Sequence, residues 1–97
     1  MNYVDLHVHS TASDGTLSPF QVVAHAAERN LKAIALTDHD TVSGIPKARS
    51  ASSQYPVELV PGIELSCLYK TIEIHILGFY IDETNPVLLE GLNHMVQ

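Results

Sequence analysis

Residues 4–9 alternate strictly between aliphatic and polar side chains. The aliphatic positions are Val4, Leu6 and Val8, and the polar positions are Asp5, His7 and His9. This period of two is typical of a half-buried β-strand, so we predict a strand over residues 3–9 that buries its aliphatic face. The opposite face would hold the two histidines roughly 6.6 Å apart along the strand, close enough to bind one metal ion.

Asp5 lies on the same predicted face as the two histidines. Histidines that bind metals commonly donate their second ring N–H to a carboxylate, which fixes the tautomer of the ring. We therefore predict that Asp5 supports His7 without binding the metal directly.

The order of the later elements defines the fold class. A Ser-Pro-Phe-Gln sequence at residues 18–21 is a capping-box start for a helix that runs to about residue 30. The further predicted elements are a strand at 33–36, a helix at 44–54, a strand at 57–60 ending at Pro61-Gly62, a strand at 71–80 and a helix opened by Asn85 and Pro86. Alternating strands and helices predict an α/β fold with a parallel sheet, which collects functional groups where its strands end.

Acidic residues and histidines follow the first two predicted strands. A Ser-Asp-Gly turn sequence offers Asp14 as a ligand shortly after the first strand. An Asp-His-Asp sequence directly follows the apolar second strand, where titratable groups carry a desolvation cost that a cation offsets. Because neighbours in a strand point to opposite faces, we predict His39 as a ligand and Asp38 and Asp40 as its supporting acids.

Two more candidates come from the second half of the chain. Glu64 lies among aliphatic residues, where a carboxylate is costly unless it binds a cation, and its two oxygens can bridge two ions. His75 occupies the polar face of the alternating strand at 71–80, and we predict it as a further ligand. Glu73 shares that face, but an isolated strand acid is expected to be solvated.

Composition limits the kinds of partner. The formal charge of −6 argues against a broad nucleic-acid-binding surface, although it allows a phosphorylated substrate held through metal ions. The single Cys67 excludes an internal disulfide framework. Since there is no apolar run of about 18 residues and no N-terminal leader pattern, we expect a cytoplasmic protein without membrane association. The oligomeric state is left open.

Five motifs occur in one order along the chain. They are Asp-Leu-His-Val-His-Ser at 5–10, Ser-Asp-Gly at 13–15, Leu-Thr-Asp-His-Asp at 36–40, Pro-Gly-Ile-Glu at 61–64 and Glu-Ile-His-Ile at 73–76. In order and spacing they resemble the opening motifs of the PHP (polymerase and histidinol phosphatase) family of metal-dependent phosphoesterases. The second and third motifs are most similar to the bacterial subgroup that acts on nucleoside 3′,5′-bisphosphates and on the 5′ ends of short RNA.

The resemblance implies a distorted (β/α)7 TIM-like barrel with two or three divalent metal ions at the carboxyl ends of its strands. The implied metal ligands are His7 and His9 for one ion, Asp14 and His39 for another, Glu64 as the bridge and His75 beside it. Manganese, iron or zinc suit such mixed imidazole and carboxylate ligands better than calcium or magnesium.

Family members complete this cluster with a later histidine and a C-terminal Asp-x-His pair. We therefore expect residues 1–97 to be the N-terminal portion of a single PHP domain, truncated at the C-terminus and without a complete site. The chain ends within an apolar helical pattern, which agrees with this expectation.

For the intact protein we predict hydrolysis of a phosphomonoester or a terminal phosphodiester of a nucleotide or short RNA. A water activated by the metal ions, and not a side chain, would be the nucleophile. From their positions alone, Ser10 and Thr11 are candidates for contacts with the phosphate. The alternatives are a non-catalytic metal-binding or structural module and a histidinol-phosphate-type phosphatase of the same family.

Overall fold

The structure is a computed structural model that describes residues 3–95, apart from the side chains of Tyr69, His94 and Met95. Its elements are β1 (Tyr3–Val8), α1 (Pro19–Glu28), β2 (Leu31–Leu36), α2 (Ile45–Ser52), β3 (Glu58–Tyr69), β4 (Ile72–Phe79) and α3 (Pro86–Met95). The four strands form one sheet in the order β1-β2-β3-β4. The predicted α/β class is therefore confirmed.

Polar side chains start two of the helices as the sequence predicts. At α1, the Ser18 hydroxyl accepts a hydrogen bond from the backbone N–H of Gln21 at 3.2 Å, and the side chain of Gln21 accepts one from the N–H of Ser18 at 3.0 Å. This reciprocal pair is a capping box, which satisfies N–H groups that have no partner within the helix. At α3, the side chain of Asn85 accepts from the N–H groups of Val87 and Leu88.

The core lies between the helices and one face of the sheet. Val23 of α1, Ile34 of β2 and Ala48 of α2 belong to one buried apolar cluster, which Leu92 of α3 also joins. Burial of such side chains is the main source of the stability of the fold. Within residues 3–95, no helix is long and apolar enough to cross a membrane.

The direction of the strands changes at the last one. β1 pairs with β2 and β2 with β3 in parallel, with α1 and α2 as the connections. β4 instead pairs with β3 in an antiparallel hairpin, so the predicted parallel sheet holds for β1 to β3 but not for this strand. Only Lys70 and Thr71 separate β3 from β4. Two residues suffice for a hairpin, whereas a parallel return needs a crossover of a dozen or more.

The predicted strand break at Pro61 and Gly62 is also wrong, because β3 continues through both residues. Pro61 is paired with Leu36, the last residue of β2. A Cβ atom at Gly62 would lie 2.8 Å from the side chain of Thr37 and 2.9 Å from the carbonyl oxygen of Gly78. Glycine therefore lets three segments of chain pass close together here, and it does not end the strand.

The aliphatic face of β1 is less buried than its alternation predicts. Val4 is 55% exposed and Leu6 is 45% exposed, and only Val8 is packed against the core. Within residues 3–95, β1 has β2 as its one neighbouring strand, and the helices bury β2 and β3 more fully. The period of two identified the strand correctly, but not the degree to which it is covered.

We expect Gly62→Ala to lower the free energy of unfolding by about 1–3 kcal/mol, because backbone on one side and a buried side chain on the other leave no room for a methyl group. Gly91→Ala in α3 is the matched control, since a Cβ atom there would meet no atom within 4 Å. That substitution should be neutral or should stabilise by about 0.5–1 kcal/mol, because alanine favours helices. Urea unfolding measures both variants, and equal midpoints would contradict the close approach at Gly62.

Candidate metal centre

Glu64 of β3 is the central residue of a cluster of histidines. Its residue surface is only 3% exposed. One carboxylate oxygen, Oε1, lies 2.6 Å from Nε2 of His7 and 2.8 Å from Nε2 of His9. The other, Oε2, lies 2.5 Å from Nδ1 of His75 and 3.8 Å from Nδ1 of His39. Each oxygen thus faces a different pair of imidazoles.

The surroundings of Glu64 favour its charged form. Burial alone raises the pKa of a carboxyl group, but hydrogen bonds from His7, His75 and His9, together with the charge of His39, lower the pKa of Glu64 to about 2. Its carboxylate therefore stays ionised at neutral pH. A buried anion surrounded by imidazoles is a place where metal cations can replace protons.

Asp14 joins a second side of the cluster. Its Oδ1 lies 2.9 Å from Nδ1 of His9, and its Oδ2 lies 3.2 Å from Nε2 of His39. Partial burial raises the pKa of Asp14, but the charges of His39 and His9 outweigh this and lower it below its ordinary value. The imidazole of His9 therefore lies between two carboxylates, those of Asp14 and Glu64.

The cluster contains three groups of ligand atoms, each with all its atoms within 4.8 Å of one another. The groups are His7, His9 and Glu64; His9, Asp14 and His39; and His39, Glu64 and His75. Any two of these groups share one residue, so they form one continuous centre. The structure brings together all six residues that we predict as metal ligands, and their role as ligands remains a prediction.

Backbone pairing places these side chains next to one another. His39 pairs with Glu64 beyond the end of β2: the N–H of Glu64 donates to the carbonyl of Asp38 at 3.1 Å, and the N–H of Asp40 donates to the carbonyl of Glu64 at 2.9 Å. On the other side of β3, His75 is paired with Ser66, two residues after Glu64. The β3–β4 hairpin therefore brings His75 to the centre, although His75 lies within a strand and not at the end of one.

Asp38 supports the centre through the loop that follows β1. Its buried carboxylate accepts hydrogen bonds from the N–H of Ser10 at 2.6 Å, the hydroxyl of Ser10 at 2.8 Å and the hydroxyl of Ser13 at 2.8 Å. This loop carries Asp14. Asp38 therefore fixes the loop and the backbone next to His39. We predicted that its carboxylate would support the imidazole of His39, whereas its hydrogen bonds go to Ser10 and Ser13.

The contact of Ser10 with a phosphate remains a prediction, and the structure gives its hydroxyl a different partner. Ser10 is completely buried, and its only hydroxyl proton is donated to Asp38, so it has no donor left for a substrate. Thr11 is exposed, and its contact with a substrate remains a prediction.

Asp5 and Asp40 contact backbone and not imidazole rings. The Asp5 carboxylate accepts from the backbone N–H of His7 at 3.1 Å, not from its ring. The register of β1 against β2 shifts between Asp5 and Val8, which breaks the regular alternation on which the predicted role of Asp5 depended. Asp40, with a left-handed φ of 54°, accepts from the N–H of Ser66 at 2.8 Å and thereby fastens its loop to β3.

Each residue of the Ser-Asp-Gly motif at 13–15 has its own structural role. Ser13 bonds Asp38, and Asp14 faces the two histidines. A Cβ atom at Gly15 would lie 2.4 Å from the carbonyl oxygen of His9, so the loop can fold back onto β1 only with glycine there. Its φ is not in the left-handed region, and close approach is therefore the reason for this glycine.

The contact of Glu73 with the centre was missed from the sequence. Its Oε1 accepts a hydrogen bond from Nε2 of His75 at 2.9 Å, although its side chain is 69% exposed. Hydrogen bonds to Glu73 and then to Glu64 raise the pKa of His75 above its ordinary value. The spacing of two residues on one strand was the available signal, since it places both side chains on one face.

Similarity to known proteins identifies the family of the chain and agrees with its fold. The chain belongs to the PHP domain family, which it matches over residues 5–95. It is 45% identical over 82 residues to a 5'-3' exoribonuclease of Haemophilus influenzae, covering 84% of this chain and 30% of that protein. It is 39% identical over 92 residues to a 3',5'-nucleoside bisphosphate phosphatase of Chromobacterium violaceum, covering 95% of this chain and 32% of that protein.

A solved structure from Bifidobacterium adolescentis, assigned as a metal-dependent phosphoesterase, superposes with a TM-score of 0.88 at 30% identity. The match covers 96% of this chain and 32% of that one. The fold is therefore that of the N-terminal part of a PHP barrel. The chain spans about a third of the length of the curated relatives it matches.

We expect Asp38→Ala to lower the free energy of unfolding by about 3 kcal/mol, because it removes three hydrogen bonds to a charged group and leaves the N–H of Ser10 buried without a partner. Asp5→Ala is the matched control: its carboxylate is exposed and accepts one backbone hydrogen bond. That change should stay within about 0.5 kcal/mol. The two variants are compared by urea unfolding, and equal losses would mean that Asp38 does not secure the loop.

Proposed function

We propose that this chain supplies most of a divalent metal centre in a phosphoesterase that acts on nucleotide-type substrates. The reaction is hydrolysis of a phosphomonoester or a terminal phosphodiester, as in a nucleoside 3′,5′-bisphosphate or the 5′ end of a short RNA. The observation that carries the proposal is the buried, ionised Glu64, whose two oxygens face separate histidines. The activities named for the relatives support the substrate class.

The donor atoms fit two or three divalent ions. Each of the three groups offers three atoms, all imidazole nitrogens or carboxylate oxygens. Three protein ligands leave coordination positions for water and for substrate oxygens, as in catalytic metal sites. The mixture of imidazole and carboxylate favours manganese, iron or zinc over calcium and magnesium. We assign His7, His9, Asp14, His39 and His75 as ligands, and Glu64 as the bridging ligand.

Charge and position are the contributions of the protein to the reaction. When bound, the metal ions neutralise phosphoryl oxygens and lower the pKa of a water to about 7, so that it can attack phosphorus. Glu64 and Asp14 carry too little negative charge to cancel two divalent ions, so the centre attracts a phosphate despite the charge of −6 on the chain. No side chain is assigned as nucleophile.

The proposal concerns a longer protein of which this chain is the N-terminal portion of a single PHP domain. The relatives are about three times as long, and the remaining ligands implied by the family resemblance would come from the rest of such a protein. A nucleotide or short RNA substrate is met in the cytoplasm, the location that the sequence predicts.

Metal content tests the centre itself. We expect His9→Ala to lower the Zn²⁺ or Mn²⁺ affinity of the chain by more than about 100-fold, because losing even an outer-shell partner costs 10–100-fold. His25→Ala is the matched control, since His25 is exposed on α1 and faces Glu28, outside the three groups. Equilibrium dialysis with metal analysis measures both variants. Retention of the metal by His9→Ala would refute the assignment.

Substrate assays test the reaction. In the longer protein, phosphate release from a nucleoside 3′,5′-bisphosphate should require added metal and should be lost in His9→Ala but kept in His25→Ala. Metal binding without turnover of any phosphoester would favour the non-catalytic module. Preferential hydrolysis of histidinol phosphate would favour the other phosphatase of the family.

A further inference from the structure

His75 is held by a carboxylate on each side of its ring. Glu73 and His75 are two residues apart on β4 and share one face of the strand. Nε2 of His75 lies 2.9 Å from Oε1 of Glu73, and Nδ1 lies 2.5 Å from Oε2 of Glu64. Of these two carboxylates, only that of Glu64 belongs to a group of potential metal ligands. The ring therefore separates Glu73 from the metal centre.

We propose that Glu73 is a positioning residue, which holds the Nε2 proton of His75 so that Nδ1 is the nitrogen presented to the metal ion. The inference rests on the proposed metal centre. Because a carboxylate only accepts hydrogen bonds, the nitrogen that faces Glu73 must carry a proton. Nδ1 also faces a carboxylate, Oε2 of Glu64, so the Nδ1 proton is the one that a metal ion would replace. With the other proton held at Nε2 by Glu73, the neutral imidazole then has its lone pair on Nδ1, directed at the group formed with His39 and Glu64.

His75 is more exposed than two of the other histidines of the centre. Within residues 3–95, β4 pairs with β3 alone, and the side chain of His75 is 42% exposed. Packing alone therefore restricts this ring less than it restricts the rings of His9 and His39, which are 20% and 25% exposed. A hydrogen bond from the same strand supplies the missing restraint on orientation and tautomer.

His9 and His39 are restrained differently. Both ring nitrogens of His9 and of His39 face carboxylates that themselves belong to the centre, those of Asp14 and Glu64. Among the contacts of residues 3–95, Glu73 is the carboxylate outside the three groups that bonds a ring nitrogen of the centre. It has at His75 the role that the sequence predicted for Asp5 at His7.

Zn²⁺ affinity, measured by competition with a chelating dye, is the first test. We expect Glu73→Ala to weaken binding about 10-fold, the lower end of the range for such partners, because Glu73 is exposed. Glu73→Gln keeps an acceptor oxygen and should recover most of this loss. Glu58→Ala is the matched control, since Glu58 is an exposed acid on β3, and it should leave the affinity unchanged.

The ring of His75 gives a readout that a merely structural role would not move. In the Zn²⁺-loaded chain, ¹⁵N NMR should show His75 protonated at Nε2 in the wild type and in Glu73→Gln, and a mixture of tautomers in Glu73→Ala. In a His75→Ala background, Glu73→Ala should cause no further loss of affinity. An unchanged tautomer, or an equal loss without His75, would overturn the positioning role.

The two proposals fail in different ways. If neither the wild-type chain nor the longer protein binds Zn²⁺, the metal centre is wrong and the role of Glu73 falls with it. If the wild type binds Zn²⁺ and Glu73→Ala binds it as tightly as Glu58→Ala does, only the positioning role is wrong.

Discussion

The carboxylate of Glu64 is ionised although it is buried, and the carboxyl end of the sheet is organised around this charge. An uncompensated ion in such a place costs several kcal/mol. The compensating imidazoles come from β1, from the segment after β2 and from β4, which are distant in sequence. The side chain of Glu64 therefore connects β3 to β1, to the segment after β2 and to β4. The same contacts assemble the donor atoms of the candidate metal centre.

The sequence predicted which residues come together better than it predicted the path of the strands that carry them. His7, His9 and His39 could be placed because parallel strands end at the same edge of a sheet, so polar residues that follow such strands must meet. Pro61 and Gly62 were misleading because both are local signals for a break. At Gly62 the deciding factor is the crowding by Thr37 and Gly78, which no local pattern contains.

Supporting residues were harder to assign, because spacing indicates a neighbourhood but not a bonding partner. Asp5 and Glu73 each precede a histidine by two residues, yet only Glu73 reaches an imidazole, since the register of β1 is irregular after Asp5. The bonds between Asp38 and Ser10 join residues 28 positions apart, and they depend on packing that a single sequence does not show.

The buried Asp38 has a consequence for how the centre would receive an ion. Asp38 directly precedes His39 and also holds the loop that carries Asp14. Nε2 of His39 and Oδ2 of Asp14 lie 3.2 Å apart. Two candidate ligands of one group are therefore anchored through the same buried carboxylate during folding. This part of the centre is preorganised: an ion entering it does not have to order the loop, and the entropic cost of binding is met before the ion arrives.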